Sequence, residues 1–192
     1  MTNTRIPVLP TAILLFALGF GGRIALHEYH NFETVMVSVF LAAMLLPTAM
    51  SLLVTLSIMI FSDLYLGYFG TSKILFFTYT GFILVSFITS KFKDKIGGEV
   101  SAGTMYKFTS SGIIFALVYD TLTNFGVFLI NYNHTIDNLF LVYVLGIPFM
   151  LYHILSSVMT FSLVGFPVYC ALKNQEKSLD IEQHNVELEA EN

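Results

Sequence analysis

Residues Tyr106 to Ile130 read YKFTSSGIIFALVYDTLTNFGVFLI, and this stretch decides the fold. Its only charges are Lys107, close to the start, and Asp120. About 20 mostly apolar residues carry an α-helix across the hydrocarbon core of a bilayer, so the segment predicts a membrane-spanning helix. A strand is excluded because the run is continuous rather than alternating over about 10 residues.

The rest of the chain repeats that pattern. Apolar runs cover about Ile6 to Leu26, Thr34 to Leu46, Thr48 to Tyr65, Ile74 to Thr89 and Phe149 to Leu172. With Tyr106 to Ile130 they make six expected spans, the second short enough to tilt, enter only part-way or form a bent hairpin with the third. Pro47 closes the second run, because proline cannot continue a helix interior unkinked. A short helix is expected after Asn138, ending at Gly146-Ile147-Pro148, before the last span opens at Phe149.

Composition agrees. Of 192 residues 55% are hydrophobic and 11% charged, against about 25% charged in a soluble domain, and the mean hydropathy is +0.74. This balance excludes a disordered chain, a nucleic-acid binder and an ordinary soluble enzyme, and predicts an all-α integral membrane protein of the cell membrane. The net charge of -4 says little about partners, because Glu176, Asp180, Glu182, Glu187, Glu189 and Glu191 all fall in the C-terminal tail. The expected organisation is a six-helix transmembrane domain over 1-173 and a polar, acidic cytoplasmic tail over 174-192, read as a solvated or frayed helix. The single cysteine, Cys170, allows no internal disulfide and no multi-cysteine metal site. The first run has no small-residue cleavage site followed by a soluble domain and is expected to be retained.

Basic residues set the expected orientation. Arg5, the cluster Lys91, Lys93, Lys95 and Lys107, and the pair Lys173 and Lys177 mark a cytoplasmic side holding both termini. The opposite side carries the polar loops His27 to Glu33, Ser62 to Tyr68 and Asn131 to Asn138. These supply rings, hydroxyls, amides and carboxylates that could line a small polar ligand, or could be ordinary connecting loops with interfacial tyrosines.

Ionisable groups inside spans are more informative, because each costs a few kcal/mol unless paired or hydrated. Arg23 lies near the outer end of the first span, Asp63 at the outer end of the third and Asp120 in the outer half of the fifth. Asp120, Thr123, Asn124, Val127 and Asn131 share one helical face, as do His153, Ser156, Ser157 and Thr160. The two stripes suggest a cavity open to the outside. They could equally be interhelical contacts, Asp120 pairing with a group such as Arg23 and His153 serving as a packing residue. Ala17, Gly21 and Ala25 at four-residue spacing allow close approach of another helix, within the chain or from a separate subunit. No HExxH, Cys/His set, GxSxG, P-loop or Ser-Lys motif is present, so no metal, cofactor or catalytic residue is expected, and ATP-driven uptake would need other subunits.

One set of residues carries a family resemblance across about residues 15 to 170. It comprises Arg23, Asn31-Phe32-Glu33-Thr34-Val35, Pro47, Ser62-Asp63 with Gly67, Thr123-Asn124-Phe125-Gly126-Val127, Tyr132, Thr135, Tyr143 and Ile147-Pro148-Phe149. In order and spacing the chain resembles an S component, the substrate-binding membrane subunit of energy-coupling-factor transporters, or a related family of small six-helix membrane proteins. The resemblance implies a six-helix bundle that holds a vitamin or other micronutrient in its outer half. It also implies assembly with a transmembrane coupling subunit and two cytoplasmic ATPases that drive uptake. On that basis the expected substrate-binding residues are Arg23, Asn31, Asp63, Tyr79, Asp120, Asn124, Tyr132 and His153, with tyrosines stacking on a ring. S components contact their coupling subunit through small residues on the first helix. The nearest match here is Ala17-xxx-Gly21-xxx-Ala25, set toward mid-membrane. The other expectation is a structural or assembly membrane protein resembling small rod-shape-determining subunits. An intramembrane enzyme using Asp63 and Asp120 as acid and base has no supporting motif.

Overall fold

A computed structural model describes residues 6–29 and 34–190, and among these residues every regular element is helical. The order is α1 (Val8–Ala25), α2 (Val35–Leu45), α3 (Thr48–Tyr65), α4 (Ile74–Ile96), α5 (Ala102–Asn131), α6 (Ile136–Thr160), a π-helical turn (Phe161–Gly165) and α7 (Phe166–Ala190). Five helical stretches are long and apolar enough to cross a membrane: α1, α3, α4, α5 and the continuous run from α6 into α7. Helices suit that setting because all their backbone hydrogen bonds close within the segment. Their outward faces carry large apolar side chains such as Leu9, Ile13, Phe76, Phe140, Phe149 and Leu163.

The short helix α2 is the centre of the bundle. Ten of its 11 residues are buried, Val35 to Met44 without a break. A helix apolar on every side can satisfy all of them only by being surrounded. It packs on α1, α3, α4, α5, α6 and the π turn. At 1.5 Å per residue it is about 16 Å long, half the hydrocarbon thickness. It starts low: Thr34 Oγ1 donates to the Leu18 carbonyl at 2.7 Å, more than a turn before α1 ends. It stops at a sharp corner, where Leu46 is extended (φ -105°, ψ 160°) because the following proline disfavours the α conformation, and Pro47 opens α3.

One feature differs from the sequence expectation. The helix does not break at Gly146-Ile147-Pro148. Pro148 lies inside α6, and no separate short helix precedes the last span. Proline removes only one backbone donor, and a helix packed along α5 keeps its other ladder bonds. Beyond Leu172 the polar tail is helical to Ala190, in line with the solvated helix expected there.

The π turn explains how α6 and α7 both face the core. Phe161 is fully buried against Phe40, with ring centroids 5.0 Å apart, and over Gly112 of α5. Gly165 lies against Val37 of α2. A Cβ on Gly112 would stand 2.6 Å from the Phe161 ring, a contact a ring in the core cannot yield. Gly112→Ala is therefore expected to cost about 1–3 kcal/mol by overpacking, read as a lowered unfolding midpoint in detergent.

Candidate functional site

Two buried ionic clusters lie between helices distant in sequence. In the first, Arg23 at the end of α1 meets the last turns of α3. Its Nη2 is 2.9 Å from Asp63 Oδ1, and its Nη1 donates to Ser62 Oγ at 2.7 Å. Tyr79 of α4 donates its hydroxyl to Asp63 Oδ2 at 2.8 Å. Asp63 is fully buried. The Asp63 carbonyl also accepts the backbone N–H groups of Tyr68 and Phe69, which folds the α3–α4 loop back over the cluster. Three helices are thus tied by one carboxylate, whose charge the guanidinium offsets at contact distance.

The second cluster joins α5 to α6. Asp120 Oδ1 is 2.6 Å from His153 Nδ1, and both side chains are mostly buried. Because an ionised carboxylate only accepts, Nδ1 carries the proton of this bond. The Tyr119 ring lies edge-on to the imidazole at 5.8 Å and tilts against Phe82 at 4.8 Å. Asp120 Oδ2 is buried and makes no hydrogen bond among the described residues. Asn124, one turn further along the same face, packs its amide across Gly146 of α6 and has no side-chain hydrogen bond among the described residues. Below His153, Ser156, Ser157 and Thr160 are buried, and Ser157 Oγ reaches Met36 Sδ of α2 at 3.7 Å.

The expected residues therefore divide. Arg23, Asp63 and Tyr79 come together, as do Asp120 and His153 with Asn124 beside them. Asp120 pairs with His153 and not with Arg23, which Asp63 takes instead. Tyr79 meets Asp63 through its hydroxyl. Tyr132 caps the end of α5, half-buried, away from either cluster's hydrogen bonds. Asn31 lies outside the described residues. Sequence reasoning missed Ser62 as a partner of Arg23 and Tyr119 as the ring beside His153. Ser62 adjoins Asp63, but its role needs the α1–α3 packing to be seen, and Tyr119 is one aromatic among many.

Ala17, Gly21 and Ala25 face outward. All three are exposed, and a Cβ on Gly21 would meet nothing within 4 Å. The inward face of α1 is instead Thr11, Ala12, Leu15 and Gly19, the last seated against Ile58 and Ser38. Two cavities lie elsewhere. One of about 1140 Å³ opens at the Lys-rich end, between the Leu46-Pro47 corner, the loop Gly97 to Val100, and Tyr169 to Asp180. A groove of about 430 Å³ runs along Leu84, Leu117, Leu122, Phe125 and Tyr143 on the apolar outer surface.

The model of one family, described as a family of unknown function, DUF6580, matches residues 1–179. The chain belongs to that family. No curated protein and no solved structure matches it. Within this DUF6580 chain the matched region takes in both clusters, the exposed face of α1 and the π turn.

Proposed function

We propose that this DUF6580 protein is a solute-binding membrane subunit of the energy-coupling-factor type, which captures a small molecule between α4, α5 and α6. One observation carries the reading: Asp120 is buried in an apolar bundle with one oxygen held by His153 and the other without a hydrogen-bond partner among the described residues. A buried polar atom left unsatisfied costs about 1–3 kcal/mol or more, a cost that a ligand's donor would remove. The Arg23–Asp63–Tyr79 cluster has an ion-pair contact from Arg23 at one Asp63 oxygen and the Tyr79 hydroxyl at the other, and acts as the frame that holds α1, α3 and α4 in register. Asp120, His153 and Asn124 are the ligand-facing set.

In this reading six helices enter the membrane with both termini cytoplasmic, and the energy comes from a coupling subunit with two ATPases. The uncovered Ala17-Gly21-Ala25 face fits the coupling subunit, because small residues let a partner helix approach closely. A vitamin-like heterocycle would suit the rings of Phe82 and Tyr119.

The test is mass spectrometry of small molecules released from protein purified out of its native membrane. The expected result is one compound near one-to-one stoichiometry, absent from the Asp120→Asn/Asn124→Ala double variant. A well-folded protein that releases nothing would count against binding and favour a structural role.

A further inference from the structure

The binding site's ligand chemistry can be narrowed, given the solute-binding reading on which this step rests. We infer that the ligand presents a cationic, hydrogen-bond-donating nitrogen group, an amidinium or a protonated aminopyrimidine-like base, and that Asp120 Oδ2 anchors it.

The first ground is donor balance. Asp120 has a side chain only 7% exposed, Oδ1 occupied by His153 at 2.6 Å, and Oδ2 without a hydrogen-bond partner among the described residues. An ionised carboxylate offers acceptors alone, so the missing partner must donate. His153 makes no hydrogen bond through its other ring nitrogen among the described residues, and with Nδ1 carrying the proton that nitrogen is a second acceptor in the neutral ring. Two acceptors in one residue pair match a group with two adjacent N–H donors. Asn124, with no side-chain hydrogen bond among the described residues, adds an amide one turn along, packed across Gly146.

Charge is the second ground. The other buried carboxylate, Asp63, has Arg23 at 2.9 Å, whereas the only ion-pair partner of Asp120 among the described residues is His153. Asp120 thus lacks the fixed positive charge that Arg23 gives Asp63, and a cationic ligand would supply it. An anionic ligand would add negative charge beside Asp120, and the guanidinium of Arg23 is committed to Asp63 and Ser62. Planarity is the third ground. The rings of Tyr119 and Phe82, tilted against each other at 4.8 Å beside His153, offer aromatic surface that favours a flat cation.

Three isosteric probes separate these terms: benzamidine, which is an amidinium at neutral pH, benzamide, which is uncharged, and benzoate, which is an anion. Each is titrated into the detergent-purified full-length protein by calorimetry, on the wild type and on Asp120→Asn. The expected order of affinity is benzamidine, then benzamide, then benzoate. Asp120→Asn should weaken benzamidine by at least about 30-fold, the loss typical of removing one partner of a buried charge pair, and should bring it level with benzamide. Should Asp120→Asn fail to fold, the wild-type order together with weakened benzamidine binding in Asn124→Ala carries the test. Benzoate binding as tightly as benzamidine, or unchanged benzamidine affinity in Asp120→Asn, would overturn the inference. A single co-purified compound without a basic nitrogen would overturn it while leaving solute binding standing. Absence of both a co-purified compound and a benzamidine preference would remove the two together.

Discussion

Arg23→Met is expected to lower the unfolding free energy by about 3–5 kcal/mol, because it strands Asp63 as a fully buried, uncompensated carboxylate. Ser62 and Tyr79 would remain, and each still hydrogen-bonds, but neither carries charge. The double variant Arg23→Met/Asp63→Leu removes both charges and should recover most of the loss, since well-packed apolar residues often replace a buried ion pair without cost. Chemical denaturation in detergent reads all three proteins. Equal destabilisation of the single and double variants would mean that the stranded charge of Asp63 is not the source of the loss.

The second large effect separates two adjacent glycines. A Cβ on Gly22 would run into the Thr34 hydroxyl, the group that ties the start of α2 to the Leu18 carbonyl. A Cβ on Gly21 meets nothing. Gly22→Leu is expected to destabilise by about 3 kcal/mol through overpacking and the lost tether. Gly21→Leu should leave the melting temperature within about 2 °C of wild type, as an outward change on an apolar surface does. If α1 docks against a coupling subunit, Gly21→Leu abolishes co-purification of that subunit while the purified protein stays folded. Retained co-purification would show that another face makes the contact.

Much of the fold was legible in the runs themselves. The third span is expected over Thr48 to Tyr65 and α3 has those limits, because Pro47 starts it and the polar Ser62 to Tyr68 segment ends it. The corner at Leu46-Pro47 was equally plain. The ends of helices were less legible than the ends of apolar runs. Helix α4 continues past Thr89 through Lys91 to Ile96, and α5 begins at Ala102 with Ser101 as its cap, accepting from the Thr104 N–H. Hydropathy marks where lipid stops and says nothing of where a backbone ladder stops. Pro148 misled because a rule drawn from helices in water overstates how much one missing donor matters inside a packed bundle.

For the site, residue types were legible and pairings were not. Arg23, Asp63, Asp120 and His153 all stood out as costly groups within apolar runs. Which carboxylate took the arginine depended on how far α1 runs alongside α3, a distance that spacing does not encode. The direction of the Ala17-Gly21-Ala25 stripe was similarly open, and the inward turn of Gly19 and Gly22 decides it.

The π turn also sets the phase of everything after it. Its five residues, Phe161 to Gly165, hold a wider loop of backbone than an α turn, so α7 is rotated by about 100° from where an uninterrupted α-helix would put it. That rotation is what turns Tyr169 inward, where its hydroxyl engages both the N–H and the carbonyl of Gly98 at 3.1 Å. Removing one residue from the segment would anneal the ladder into regular α-helix and swing the tyrosine out of the core. The α4–α5 loop would lose its clamp, and the whole C-terminal rod would point a different side toward anything approaching the Lys-rich end.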